Sequence, residues 1–404
     1  MIDRAPPLRL AMVVQGLAQQ GAVATCCLNQ AKALANMFQV TVISDSQPDY
    51  LEGMGERIEV QQVHSLKFRL LRRYAHVPRE FFFILSVGWS LFKQRRSKRF
   101  DCIVFHSHPA TALLSSCLRR FMNCSTVMVM HGDIHDRPAG TYDQRLTAWY
   151  SLTTGRAYRV VDAIIALSPY MRNFAIAGGA RRNKVFLAPN GVDASEIGLQ
   201  TNQETNSESN DISKAPRRLL FIGRIEHNKG VDLLVQASAG LKSTYPDLQV
   251  ICIGATTPSF QTTLLSEITS ANLNSVFTFL APLQRRELGA HYLAADIVVV
   301  PSRSETQSTV LLEAMAAGRA VVASDTGGNA MMVENGHTGL LFKPGDANSL
   351  RNALDQLLNN PNLLRAMSKA ARQRHSEHYS RQHAASNLQR AFSDILHSRL
   401  QEQS

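Results

Sequence analysis

Apolar residues along this chain come in short uncharged runs of four to seven, each followed by a segment whose apolar positions recur every three or four residues. Runs that are apolar throughout, with no alternation, read as parallel strands covered on both faces, and the segments between them read as helices. The first series predicts strands at 9–14, 40–44, 58–63, 101–105, 125–130, 163–167 and 184–188, with helices at 24–37, 66–74, 79–98, 145–158 and 169–177. A second series predicts strands at 217–222, 248–254, 276–280, 296–301, 320–324 and from 339. Its helices fall at 260–271, 285–294, from about 309, at 349–358, 363–378 and 381–400. Between the two, residues 194–216 are rich in Asn, Gln, Glu and Ser and read as a linker. The predicted architecture is α/β, with two doubly wound Rossmann-like domains: 1–193, then 217–379, and a last helical segment 380–404 returning to the first domain.

Length agrees with this division, since 404 residues exceed one ordinary core and 45% apolar content suffices for two. Six cysteines with no Cys-x-x-Cys pair read as reduced thiols, so neither a disulfide framework nor a metal centre is expected. The start shows no signal-peptide pattern and the apolar run 81–92 is too short to span a bilayer, which predicts a cytoplasmic protein.

The net charge of +11 changes the picture because of where it sits. Between Lys67 and Arg99 ten Lys or Arg face Glu80 alone, interleaved with Phe81, Phe82, Phe83, Trp89 and Phe92. This is the composition of a helix lying on an anionic membrane surface, or of a basic amphipathic helix whose aromatics are core. Nucleic acid is not expected, because the aromatics are too apolar for base stacking alone.

Chemistry collects at the predicted strand tips. After the strand ending at Pro301 lies Ser302-Arg-Ser-Glu305-Thr-Gln307-Ser308-Thr309, turning into a helix that carries Glu313. Free backbone amides at such a helix start attract a phosphate, with Ser308 or Thr309 as N-cap, and each carboxylate can reach hydroxyls to one side of it. After the strand ending at Ile222 comes Gly223-Arg224-Ile-Glu-His-Asn-Lys229-Gly230, a glycine turn whose Arg and Lys can converge on one phosphate group. In the first half, Gly16-x4-Gly21 lacks the Lys and Ser/Thr of a triphosphate loop, and no Gly-x-Gly-x-x-Gly occurs. His106-Ser-His108 and His131-Gly-Asp133-Ile-His135 end two further strands. They allow a metallohydrolase-like metal site or a structural role.

Taken together, Glu305-x7-Glu313 with Glu-Ala-Met-Ala-Ala-Gly318, and Gly223-Arg224-x4-Lys229-Gly230 about 75 residues earlier, resemble the retaining family 4 glycosyltransferases (glycosyltransferase group 1) over nearly the whole chain. The resemblance implies the GT-B fold, two Rossmann-like domains facing a central cleft. It implies that Arg224 and Lys229 hold the donor diphosphate, that Glu313 binds the ribose, and that Glu305 and His131 approach the transferred sugar. Gly21 and the polar stretch Gln307, Ser308 and Thr309 are the remaining donor-binding candidates. No cofactor or catalytic metal is implied: the donor is a nucleotide-diphosphate sugar, the acceptor a membrane-associated or lipid-linked glycan, and there is no Asp-x-Asp in the chain to grip a divalent ion. The resemblance implies retention by front-side attack. A nucleotide-sugar epimerase or hydrolase of the same fold, or a His/Asp metallohydrolase, are the alternatives. The polar Thr306-Gln-Ser-Thr309 departs from the Gly or aromatic usual after the first Glu, so the donor sugar stays open.

Overall fold

A computed structural model describes residues 7–19, 22–47, 55–63, 79–95, 99–106, 114–115, 121–132, 153–199 and 217–403. Gly21, His108, Asp133, His135 and the helix expected at 66–74 lie outside the described residues, as does residue 200 onward to 216.

The chain divides into two compact units. One holds the first seven strands and the end of the chain from Ala385; the other runs from Asn190 to Ala384. In the first, the strands are β1 (Leu8–Val13), β2 (Phe38–Ser44), β3 (Ile58–Gln62), β4 (Cys102–Phe105), β5 (Ser125–Met130), β6 (Ala163–Ala166) and β7 (Val185–Leu187). They form one sheet in the order β3-β2-β1-β4-β5-β6-β7, and every pairing is parallel. Each central strand is buried on both faces, β4 and β5 completely, because helices cover the two sides. One side packs Leu10, Met12, Val40, Val42 and Val104 against Cys27, Ala31 and Leu34 of the helix Ala22–Leu34. The other packs Val13, Ile103 and Phe105 against Phe83, Val87 and Leu91 of the helix Arg79–Gln94. The final helix, Arg381–Gln403, belongs to the first of these layers: Phe392 is fully buried, meets Phe38 edge-on at 5.9 Å, and Gln389 Nε2 donates to the Ala33 carbonyl. Burying one such side chain contributes about 2–3 kcal/mol.

The second unit repeats the plan with β8 (Arg218–Ile222), β9 (Gln249–Ile253), β10 (Phe277–Leu280), β11 (Ile297–Val300), β12 (Ala320–Ser324) and β13 (Leu340–Phe342), in the order β10-β9-β8-β11-β12-β13. All its pairings are parallel too. In both units the strand order reverses beside the first strand, at β1/β4 and at β8/β11. Diverging loops there leave a crevice beyond the carboxyl ends of the strands.

Two readings are corrected. The polar linker starts later than composition indicated: Ala194–Ile197 forms a 3-10 turn, and Ile197 and Leu199 are buried in the second unit beside Tyr292 and Leu312. The two apolar residues are spaced too sparsely to register in a polar stretch. The helix expected at 363–378 ends at Arg374 and widens into a π-helical turn, His375–Tyr379. That turn inserts His375, whose Nε2 lies 2.8 Å from the Val192 carbonyl.

Candidate active site

The tips of β8 and β11 are pressed together by a glycine. Gly230 has φ +72°, and a Cβ there would stand 2.0 Å from the Pro301 carbonyl oxygen, so no other residue lets the β8 loop lie this close to the end of β11. Arg303 then fastens the two loops. Its backbone N–H donates to the Asn228 carbonyl, and its guanidinium makes a two-pronged pair with Asp232 at 2.9 and 2.6 Å. The result is that Lys229 Nζ lies 2.7 Å from Glu305 Oε2, with Ser302 Oγ donating to the same oxygen. Glu305 is fixed from behind by the turn after β12. The Gly328 N–H donates to the Glu305 carbonyl, and a Cβ on Gly327 (φ +51°) would fall 1.6 Å from that oxygen.

Glu313 sits differently. The helix Thr309–Ala316 is capped by Ser308, whose Oγ accepts from the Leu311 N–H, and Glu313 lies one turn inside it, 4% exposed. A carboxylate so buried needs partners, and it has two: Arg285 Nε donates to Oε1 at 2.7 Å and the Tyr292 hydroxyl donates to Oε2 at 2.7 Å. Burial lifts the Glu313 carboxyl above its ordinary range, while Arg285 and Tyr292 pull it back. Burial also works against charge on Arg285, but Glu313 and Glu196 outweigh it and hold the guanidinium charged. Arg285 Nη1 reaches Glu196 at 2.6 Å, and Glu196 in turn pairs with Arg381. Arg285 Nη2 is buried with no hydrogen bond to any described residue.

The structure thus brings Lys229 to Glu305 and sets Glu313 in a separate hydrogen-bonded group. Arg224 is not turned toward Lys229: its side chain is 69% exposed and pairs with Glu226 at 2.9 Å. Gln307 is taken up by the chain itself, its Oε1 accepting from the Asn190 N–H and its Nε2 donating to the Asn190 carbonyl. Ser308 acts as the N-cap, and Thr309 is the first helical residue. In the first unit, His131 Nε2 and His106 Nδ1 lie 3.0 Å apart. Burial drives the His131 imidazole down to about 4; burial, then His131, drive His106 well below the ordinary value. Both rings are therefore neutral at pH 7.

Sequence reasoning missed Arg285, Tyr292 and Arg303. Arg285 and Tyr292 lie 28 and 21 residues before Glu313, and no spacing rule joins them. Arg303 had a signal: an Arg two residues before Glu305, within a strand-tip loop, has a cation's reach into whatever that loop faces.

A parallel sheet with Lys229 and Glu305 paired at its switch point, and a buried Glu within the next, Ser-capped helix, follows the Rossmann-like plan, which puts its chemistry at the strand tips. Comparison with known proteins narrows this. The family described as "Glycosyltransferase Family 4" matches residues 23–196, and "Glycosyl transferases group 1" matches 202–374. The D-inositol 3-phosphate glycosyltransferase of Corynebacterium aurimucosum is 37% identical over 183 residues, 44% of this chain and 42% of that protein, so the match spans less than half the length of the relative. The structure of a sucrose-phosphate synthase from Thermosynechococcus elongatus superposes with TM-score 0.81 at 20% identity, covering 97% of this chain and 100% of that one. Anabaena HepE in complex with UDP and glucose gives TM-score 0.75 at 19% identity, covering 96% and 99%. The chain belongs to the group 1, family 4 glycosyltransferases, and its two parallel sheets are those of the GT-B architecture.

Proposed function

We propose that this chain transfers a sugar from a nucleoside-diphosphate donor, with retention and without a metal ion, to an acceptor presented at a membrane surface. The observation that carries the reading is the 2.7 Å contact between Lys229 and Glu305 at the β8/β11 tips. An ammonium and a carboxylate held side by side form a cation for the departing diphosphate and an anion for the electron-poor sugar carbon. The bond from the anomeric carbon to the phosphate oxygen breaks, and Lys229 with Arg224 neutralises the leaving nucleotide. The acceptor hydroxyl attacks on the same face, and its proton passes to the departing phosphate. Glu305 stabilises the oxocarbenium-like sugar, and His131, neutral at pH 7, donates or accepts one hydrogen bond to the sugar.

Glu313 takes the ribose on this reading. Each of its oxygens keeps a second lone pair beyond Arg285 and Tyr292, and Arg285 Nη2, which has no hydrogen bond to any described residue, supplies a donor alongside. The UDP and glucose bound by HepE support a uridine donor. The absence of Asp-x-Asp supports cations in place of a metal.

The membrane-facing part rests on the helix Arg79–Gln94. Leu85, Trp89 and Phe92 are exposed on its outer side, with Lys93 over the Trp89 ring and Arg95 over the Phe92 ring. Apolar rings flanked by cations suit the headgroup region of an anionic leaflet. No helix among the described residues is long and apolar enough to cross a membrane, so contact would be peripheral, at the cytoplasmic side.

Titrating the protein calorimetrically with UDP- and GDP-sugars, then following the product anomer by NMR with a lipid-linked acceptor, tests the reading. The expected result is donor binding and a product with the donor's anomeric configuration. Inversion, or release of free sugar whatever acceptor is offered, would overturn it.

A further inference from the structure

Beside β1, the first unit holds a cluster that the transfer reaction does not use as a whole. Cys26 of the helix Ala22–Leu34, His106 at the end of β4 and His131 at the end of β5 bring one thiol sulfur and two imidazole nitrogens within 4.8 Å of one another. Cys26 and His106 are buried, and His131 is part-buried. Three different elements supply the three groups, so their convergence is a product of the fold and not of local sequence spacing.

We propose that Cys26, His106 and His131 form a three-ligand site for a borderline-soft divalent cation, of which zinc is the type and cobalt the spectroscopic probe. The donor set is the first argument. One sulfur and two imidazoles are the ligands zinc prefers, and three protein ligands leave a fourth position for water. Ligand distances of about 2.0–2.3 Å to zinc put donor atoms roughly 3.3–3.7 Å from one another in a tetrahedral site. The 3.0 Å contact between His106 Nδ1 and His131 Nε2 shows that the fold already holds the two rings at the scale of such a site, with His106 Nε2 left over as the nitrogen to meet the ion.

The second argument is an unmet need. His106 is 2% exposed, one of its nitrogens is spent on His131, and Nε2 has no hydrogen bond to any described residue. A buried polar atom without a partner costs free energy, and a bound ion with its water is the kind of ligand that removes the cost. Gln30 Nε2 donates to Cys26 Sγ at 3.4 Å, a contact suited to stabilising a thiolate.

The site stands on this geometry alone. Its consequence rests on the transferase reading: an ion that occupies the His131 lone pair withdraws that ring from the donor sugar, so zinc would inhibit and a chelator would not. Catalysis without a metal and inhibition by one are then compatible.

The test is metal stoichiometry on the full chain after removal of all metal, measured by equilibrium dialysis against zinc at micromolar concentration with elemental analysis. Wild-type protein is expected to retain one equivalent that Cys26→Ala and His106→Gln both lose, each variant first being checked for an unchanged thermal melt without metal. Cobalt is expected to give wild-type protein a thiolate-to-metal charge-transfer band. Should either variant fail to fold, the cobalt spectrum decides alone. Zinc retained equally by the variants, or cobalt bound with no thiolate band, would show adventitious binding at other histidines and overturn the proposal. Neither readout requires donor, acceptor or turnover, so its failure is distinct from failure of the transferase reading.

Discussion

The two units share a strand order and a place for chemistry, yet fill that place with opposite materials. At the tips of β8 and β11 charged pairs dominate, Lys229 against Glu305 and Arg303 against Asp232, with Glu313 against Arg285 inside the helix that follows. Around the tips of β4 and β5 the groups are softer, two imidazoles kept uncharged by burial and a thiol beside them. The same backbone crevice can thus present fixed charge to a leaving phosphate in one unit and uncharged lone pairs in the other. Topology sets where a ligand goes, and the side chains at the tips decide which ligand.

If the charged tips are the chemical centre, Lys229→Ala should do the greatest damage. Removing the cation paired with Glu305 is expected to lower kcat/KM by about 10³-fold or more, the scale of losing one main transition-state electrostatic contact. Steady-state kinetics with UDP-sugars decides it, and a loss under tenfold would make the contact a mere surface pair. Glu305→Gln should reduce kcat with less effect on donor affinity.

Glu313→Ala should both abolish nucleotide binding and destabilise the second unit by about 3–5 kcal/mol, since Arg285 is left buried with less compensation. Urea denaturation measures the second effect. Glu313→Gln, which can still accept from Tyr292, should recover much of the stability and little of the binding.

The neutral tips make a prediction of a different kind. An imidazole ordinarily titrates near 6.5, and here the folded value is about 4 for His131 and depressed for His106. The stability tied to these neutral rings is complete above 6.5 and is lost as pH falls from 6.5 toward 4, because the unfolded chain takes up protons that the fold refuses. The slope is at most about 1.4 kcal/mol per pH unit for each ring, and less for the part-exposed His131. Unfolding free energies of wild type and His106→Gln at pH 7.5 and 5 should differ in that slope; parallel slopes would contradict the burial argument.

The smallest effect should come from Trp89→Ala. With 61% of the residue exposed, its loss is expected to change unfolding by less than about 0.5 kcal/mol. Sedimentation with vesicles containing anionic lipid should nonetheless fall several-fold, and undiminished sedimentation would remove the membrane half of the proposal.

How much of this could be read beforehand follows the range of the interactions. The strands were legible because uncharged runs buried on both faces carry their own signature, and Ala320–Ser324 falls where the pattern predicts it. Ser308 as cap was legible because local spacing sets the helix start, whereas Lys229 and Glu305, 76 residues apart, were brought to one place only by the family resemblance. What stayed hidden needed contacts over long separations: Arg285 reaching Glu313, Gln307 holding Asn190 across 117 residues, and Cys26 joining His106 and His131. Gln307 is instructive, since the sequence reading assigned it to the donor and its side chain proves to be spent on the Asn190 backbone. Arg224 likewise pairs with Glu226 at the surface, so any grip on a diphosphate requires a rotamer change.

The most direct measurement is calorimetric binding of a UDP-sugar in the presence of excess chelator, with wild type and Lys229→Ala side by side. Wild type is expected to bind with an affinity the chelator does not change, and the variant not to bind. Loss of wild-type binding on chelation, or a variant that binds as tightly as wild type, would contradict the claim that fixed cations take the place of a metal.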